Sequence, residues 1–486
     1  MEPVPVQTLP ELPPETWTEI FAHLSAGQLL KMRHVCRRWR ELATAAAVLR
    51  AKLAVTFPRT FPVDVDCAPY PALLPVGKLT FEQVPLVGVC SWWPAFGPGL
   101  VEFRIRGCSL ELPVLVGFLK HTPNVRVLEL ACIKCTGEWR DTDGVDLGNL
   151  ENLFLVDFAK GLSIFGNCNL KVLGFTWESV DVSTLEFVNF VGRFQDTLEE
   201  LYFTASEDIL VELMKLQRLK LKKLLLNSFS FENNQLIIDL CRQQPLLEWL
   251  DLTQILSFDG AEREGKELME IGELLPRLKF FSVNITPDTY FDLSFVSKMP
   301  QLKKLEIDGI SGDFPQDVVG PVCPNLRTLT FSSIHFVCCS LRKILANMPN
   351  LQTLTFKHCS VDTWSDLLKA LEPLKLLKNL TLWMTGATAK TYSDFNDLTN
   401  LSHLKISLCG MPPALLATLL KRCPNLRELN LPAMDYDLDD ETVRVIGQEL
   451  PLLNQLSVKR CRLSEAAERF IRENCGSLHV LDTTKK

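Results

Sequence analysis

Histidine is scarce in this chain, seven among 486 residues. His23, His34, His121, His335, His358, His403 and His479 form no H-E-x-x-H pair and no other paired ligand spacing, which removes the commonest zinc-hydrolase arrangement. The G-x-S-x-G elbow, the G-x-x-x-x-G-K-[ST] phosphate loop and the G-x-G-x-x-G turn are missing as well, so acyl-transfer, nucleoside-triphosphate and dinucleotide chemistry lose their usual signatures. Long runs of one charge sign are also missing. The net charge of −7 is spread along the chain, and no footprint for nucleic acid or a membrane surface stands out. Met1-Glu2-Pro3 offers neither the basic start nor the apolar run of a secretory leader. The longest uncharged stretch, residues 84–101, holds Pro85, Pro94 and Pro98 with Gly88, Gly97 and Gly99. A lipid-exposed helix does not tolerate that set, and the stretch reads as a turn-rich connector into a first strand. These absences predict a soluble, non-catalytic protein with no metal, no cofactor, no nucleic acid and no membrane partner.

What the chain has in quantity is leucine at a fixed interval. The pattern L-x-x-L-x-L, with other apolar residues allowed, starts at Leu100, Val125, Leu153, Leu170, Leu198, Leu221, Leu247, Leu278, Leu302, Leu326, Leu351, Leu377, Leu401, Leu426, Leu453 and Leu478. From Leu278 onward the steps are 24, 24, 25, 26, 24, 25, 27 and 25 residues. The last two apolar positions lie two apart, so both point to one face of a short strand. Helical stripes such as Leu415, Leu416, Leu419 and Leu420 precede the next strand, and Pro424 stops that helix. One such unit leaves its apolar face open and must stack on its neighbours. The expected fold is α/β: a leucine-rich-repeat solenoid of about 16 units over residues 100–483, with a curved parallel sheet and the helices outside. The 17-residue step from Leu153 to Leu170 leaves no room for a full helix and predicts a loop there.

Sixteen cysteines without a leader argue for a reducing compartment rather than a disulfide framework. Cys108, Cys359, Cys409 and Cys461 each fall eight residues after the first leucine of a repeat, the inward N/C position of the consensus. Cys241, Cys323, Cys423 and Cys475 end return helices. A buried thiol packs there as a small apolar group with a weak donor. Cys132 and Cys135 have C-x-x-C spacing but lack a second pair at workable spacing, and they read as a turn after a strand, as do Cys338 and Cys339. These positions resemble the cysteine-containing subclass of leucine-rich repeats.

The N-terminus carries a second signal. Trp17, Ile20, Phe21 and Leu24 share a helical face behind Pro13-Pro14. Ser25 can cap a second helix with Leu29, Leu30 and Met32, and a third runs through Val35, Cys36, Trp39, Leu42 and Ala43. Three helices in about forty residues fall below the size that stabilises itself, so the segment either docks on the repeats or offers apolar residues to a partner.

Leu12-Pro13, Glu15, Ile20-Phe21, Leu24, Leu29-Leu30, Val35-Cys36, Trp39 and Leu42 are similar in order and spacing to the F-box motif, here residues 9–50. Trp17 stands where that motif usually has a smaller aliphatic and Pro14 where a polar residue is common. With residues 51–99 as a proline-interrupted connector (Pro62, Pro69, Pro71, Pro75), the whole resembles the F-box/leucine-rich-repeat class. The resemblance implies the substrate-recognition subunit of an SCF (Skp–cullin–F-box) ubiquitin ligase, cytoplasmic or nuclear. Its three-helix F-box would dock the Skp adaptor, and through it a cullin–RING ligase, while the repeats bind a protein substrate for ubiquitination and proteasomal degradation. By that resemblance the adaptor-binding residues would be Leu12, Pro13, Ile20, Leu24, Val35, Cys36 and Trp39. Target binding is expected at the variable positions of the strands, with the aromatics Tyr202, Trp249 and Trp383 as anchors. Two alternatives stay open: a binding scaffold that pairs with the adaptor without cullin, and a repeat scaffold whose N-terminal helices only cap the solenoid.

Overall fold

The computed structural model describes residues 12–59, 63–66, 76–137, 145–158, 161–177, 183–227, 234–254, 261–285, 293–314, 322–337, 340–389, 392–433, 438–459 and 463–483. Two compact units divide the chain, one of residues 1–204 with 216–220, the other of residues 205–215 with 221–486.

The first unit opens with a small helical module. Helix α1 (Pro14–Ala22) has proline in its first turn, where the missing N–H costs nothing. Helix α2 (Ala26–Met32) starts in a complete capping box between Ser25 and Gln28. Helix α3 (Arg37–Ala45) is capped by the Cys36 thiol, which accepts the Trp39 N–H at 3.4 Å. The chain then kinks through an extended Ala46 into α4 (Ala47–Arg50), so the expected third helix is two short ones. Trp17, Phe21 and Trp39 form the aromatic centre, with ring centroids 4.9 to 5.7 Å apart, and Leu29, Ala43 and Leu49 close it.

The sheet of this unit begins earlier than the leucine spacing suggests. Strand β1 (Ala54–Phe57) pairs in parallel with β2 (Lys78–Glu82), and β2 with Glu102–Arg106, in a register of 24 residues per rung. Residues 51–99 therefore contain two rungs of the ladder instead of a plain connector. The β2 rung keeps the apolar frame as Val76, Leu79 and Phe81, all buried. The β1 rung hides its frame, because continuing that register back by two residues puts Lys52, in place of a leucine, at the position equivalent to Val76. Its ammonium donates to the carbonyls of Ala22 and Leu24 (3.1 Å for the latter), at the C-terminal end of α1 where the helix dipole favours a cation. A lysine in place of the frame leucine thus ties the helical module to the first rung. Pro62, Pro69, Pro71 and Pro75 lie outside the described residues.

Val127–Ala131, Asn152–Val156, Val172–Thr176 and Glu200–Thr204 continue the ladder, all parallel. Residues 84–101 carry a two-residue strand (Pro85–Leu86), a helical turn (Trp93–Phe96) and a 3₁₀ turn (Gly97–Gly99). Trp93 is fully buried among Phe81, Phe103 and Phe118, and its indole N–H donates to the Phe118 carbonyl at 2.9 Å. The short step after Leu153 is filled by a single 3₁₀ turn, Leu162–Phe165.

The second unit runs from strand Lys223–Asn227 to Val480–Asp482 on the same plan. Its inward column, including Leu305, Leu329, Leu354, Leu380, Leu404 and Leu429, is buried. Return helices such as Trp364–Leu371 and Pro413–Lys421 bury their leucine stripes behind it.

Several strands in both units pass directly into a residue in the left-handed region, among them Gln83, Gly107, Asp157, His358, Met384 and Leu408, and Ser333 takes the same conformation within the strand Thr328–Phe336. This turn drops the next side chain under the ladder. Cys108, Cys359 and Cys409 are buried there, and each thiol donates to a carbonyl of its own repeat and of the preceding one. Cys461, Cys338 and Cys339 lie outside the described residues.

The Pro-Asn-Leu start of the best repeats has a physical reason. The side-chain amides of Asn325, Asn350 and Asn425 donate at 2.7 Å to carbonyls of the preceding repeat, those of Pro300, Pro324 and Thr399. Asn124 and Asn149 do the same in the first unit. Asn350→Ala is expected to cost about 1 kcal/mol, the net worth of one such bond. Hydrogen exchange should locate the loss in the rung Thr353–Lys357, since repeats respond locally.

Candidate protein-binding surfaces

The helical module buries one side of its residues and exposes the other. Leu12, Pro13, Ile20, Leu30, Val35 and Cys36 are exposed, with Val35 at 58% and Ile20 at 41% of their free area. Trp39 and Leu24 are half-buried, Trp39 inside the aromatic centre. The seven residues expected at an adaptor contact thus divide. Leu12, Pro13, Ile20 and Val35 are free among the described residues to meet a partner, Cys36 also caps α3, and Trp39 shapes the module. Leu30, which fell outside that set, joins the exposed group. Six exposed apolar or thiol side chains on so small a body are more than a solvated surface needs.

The second surface is the face of the ladder opposite the buried leucines. In the first unit it is dominated by paired charge. Arg106 grips Glu129 with two bonds of 2.6 and 2.7 Å, and Glu102 binds Lys78 at 2.8 Å and also Arg104. Burial would raise the Glu102 carboxyl, but the Lys78 bond and the charges of Arg104 and Lys78 outweigh it and hold it below the ordinary carboxylate range. Tyr202 is committed within this face: its hydroxyl donates to Glu200 at 2.5 Å, and burial, then that carboxylate, push the phenol up. Beside the 3₁₀ turn of the short repeat, a cleft of about 460 Å³ opens between Ser163, Leu185, Glu186, Asn189 and Arg193.

In the second unit, Trp249 stacks on Phe280 with centroids 3.7 Å apart and planes 19° apart. Lys223 and Lys304 stand over the Trp249 ring, each at 5.9 Å. Trp383 is more open, 38% exposed, and meets the ring of His358 edge-on at 4.6 Å. His403 lies on its strand between Ser402 (2.7 Å) and Glu428 (3.3 Å).

The thiols are placed for packing. Burial pushes Cys241, Cys323 and Cys423 up to about 12 and Cys359 up to about 11. Cys132 sits in the left-handed turn after its strand, and Cys135 on the short strand Lys134–Thr136, which pairs with Ser109–Glu111. Among the described residues no group of three or more His, Cys, Asp or Glu side chains could share a metal ion. No described helix is long and apolar enough to cross a membrane.

Parallel rungs on a leucine frame, each returning through a helix or turn, define a leucine-rich-repeat protein. An F-box-like family pattern matches residues 9–51, the helical module. Among curated proteins, an FBD-associated F-box protein of Arabidopsis thaliana is 29% identical over 204 residues, 41% of this chain and 45% of that one. The matched stretch thus spans less than half of that relative. Among solved structures, an internalin of Listeria monocytogenes is similar at 15% identity and a TM-score of 0.33, over 84% of this chain and 87% of that one. The mouse RP105/MD-1 complex is similar at 16% identity and a TM-score of 0.46, over 88% and 74%. An F-box-like domain therefore stands in front of the repeats, and the curated relative is itself named an F-box protein.

Proposed function

We propose that this protein is the substrate-recognition subunit of an SCF-type ubiquitin ligase, working in the cytoplasm or nucleus. The F-box-like module docks a Skp-type adaptor through Leu12, Pro13, Ile20 and Val35, with Leu24, Cys36 and Trp39 holding the shape of that surface. The adaptor joins it to a cullin–RING assembly, and the strand face of the repeats holds the protein to be ubiquitinated and degraded. The protein itself does no chemistry. It raises the effective concentration of a target lysine near an activated thioester. The observation that carries this reading is the apolar row left exposed on the module. Helices serving only as a cap would turn Leu12 inward, whereas Leu12 is exposed.

The test is affinity capture of the full chain from cells, beside a Leu12→Ala, Pro13→Ala variant, probed for the Skp adaptor and for cullin. Both partners with the native chain and neither with the variant is the expected result. Adaptor without cullin would replace the ligase reading by a scaffold. Adaptor with neither chain, both folded by circular dichroism, would overturn it.

A further inference from the structure

The strand face of the second unit keeps a charge imbalance once its ion pairs are set aside. Lys304 is paired with Glu306 at 2.8 Å, His403 faces Glu428 at 3.3 Å, and Asp362 faces His335 at 3.4 Å. Lys303, Arg327, Lys378 and Arg427, at the strand starts, and Lys357 and Lys405, on the strands, have no side-chain partner among the described residues. Among the side chains described on these rungs, Asp308 is the acid with no lysine, arginine or histidine partner. Six cations stand against Asp308 and the carboxylates of Asp362 and Glu428, whose histidine partners carry charge only when protonated, a balance that runs opposite to the sign of the whole chain, −7.

An apolar cluster lies on the same rungs. Trp383, Met384 and Leu408 are 38%, 42% and 40% exposed. Met384 and Leu408 occupy the left-handed turn, at φ 49° and 52°, where glycine, asparagine and aspartate sit at least cost. The equivalent turns elsewhere carry Gln83, Gly107, Cys132, Asp157 and His358. Neither a strained backbone nor an exposed large side chain helps the fold here.

We infer that this face binds an acidic, extended segment of the target protein that carries a large apolar anchor. The inference rests on the receptor reading above and deepens it by naming the target's chemistry. The anchor seats against Trp383, Met384 and Leu408, and carboxylates flank it toward Lys357, Lys405 and Lys378. Five rung spacings separate Lys303 from Arg427, about 24 Å at about 4.8 Å each, so a segment of about seven or eight extended residues spans the row. Charge supplies encounter rate and register, and the aromatic and aliphatic anchors supply residence time. A nucleic acid would use the cations but leave the apolar cluster unexplained.

The experiment displays twelve-residue peptides to the full chain and measures binding by fluorescence anisotropy. The probes are Asp/Glu-rich peptides with a central Leu-Trp, the same peptides with Lys/Arg in place of the acids, acidic peptides without the anchor, and single-stranded poly(U). Acidic anchored peptides should bind best and weaken with added salt. Lys357→Glu, Lys378→Glu, Lys405→Glu together, and separately Trp383→Ala, should each weaken that binding about ten-fold or more. A Lys→Gln version of the triple variant guards against a folding defect in the charge reversal. Equal binding of basic peptides, binding indifferent to the variants, no binding of any peptide, or binding of poly(U) alone would each overturn the inference. Capture of the Skp adaptor is measured on every variant. Adaptor retained without acidic-peptide binding refutes this inference and spares the receptor reading, whereas adaptor lost from the native chain refutes the reading itself.

Discussion

Val35→Asp is expected to reduce capture of a Skp-type adaptor by about ten-fold or more while leaving the thermal unfolding curve where it was. Val35 is more exposed than Leu12 or Ile20, sits in the turn between α2 and α3, and its side chain contributes little to the core. An aspartate there is solvated in the free protein. It loses that water in an apolar interface, and an unpaired carboxylate left there costs several kcal/mol. Ile20→Asp should behave the same way. Leu29→Ala is the contrasting case, because Leu29 is fully buried. Removing it should cost about 2–5 kcal/mol, enough to unfold so small a module, and adaptor capture would then fail through loss of structure. Pull-down combined with circular dichroism separates the two. Loss of binding with a native spectrum is the expected signature at Val35, and unchanged binding there would remove Val35 from the contact.

The second large effect is on stability. Trp93→Ala should destabilise the first rungs by about 3–5 kcal/mol. The indole fills the space between Phe81, Phe103 and Phe118, and its N–H satisfies a buried carbonyl. Trp93→Phe keeps most of the volume but leaves the Phe118 carbonyl without that donor, a cost of about 1–3 kcal/mol. Because repeats are coupled mainly to their neighbours, the expected readout is regional. Hydrogen exchange should accelerate across β2 and Glu102–Arg106 and stay native in Thr353–Lys357. Uniform acceleration along the chain would show that the ladder unfolds as one body.

Much of this architecture was legible in the sequence because the inward positions of a repeat accept few residue types at fixed intervals. Legibility failed where another residue took one of those positions for a reason of its own. Lys52 replaces a frame leucine in order to hold α1, and Val76 and Phe81 stand in for leucine one rung later, so two rungs read as a connector. The break at Ala46 falls in an alanine-rich run with no proline or glycine to mark it. At the module surface, the apolar pattern puts Ile20 and Phe21 on one helical face, yet adjacent residues are about 100° apart around a helix. Phe21 is buried and Ile20 exposed. The aromatics of the strand face were equivalent by position, and their neighbours separated them: Tyr202 is held by Glu200, Trp249 is stacked under lysines, and Trp383 is left open. The basic row is concealed in a mixed string of charges, because nothing in the string shows that Lys304 and Glu306 satisfy each other.

The cysteines under the ladder have a practical consequence. Cys108, Cys241, Cys323, Cys359, Cys423 and Cys475 are spread along the repeats, each buried and each pushed by that burial toward the neutral thiol. An alkylating reagent reacts with the thiolate, so it reaches one of these sulfurs only when that stretch of ladder has opened. The native chain therefore carries a set of internal clocks, one for each such repeat. Their modification rates, resolved by peptide mass, would map local opening along the solenoid without the introduction of a single label.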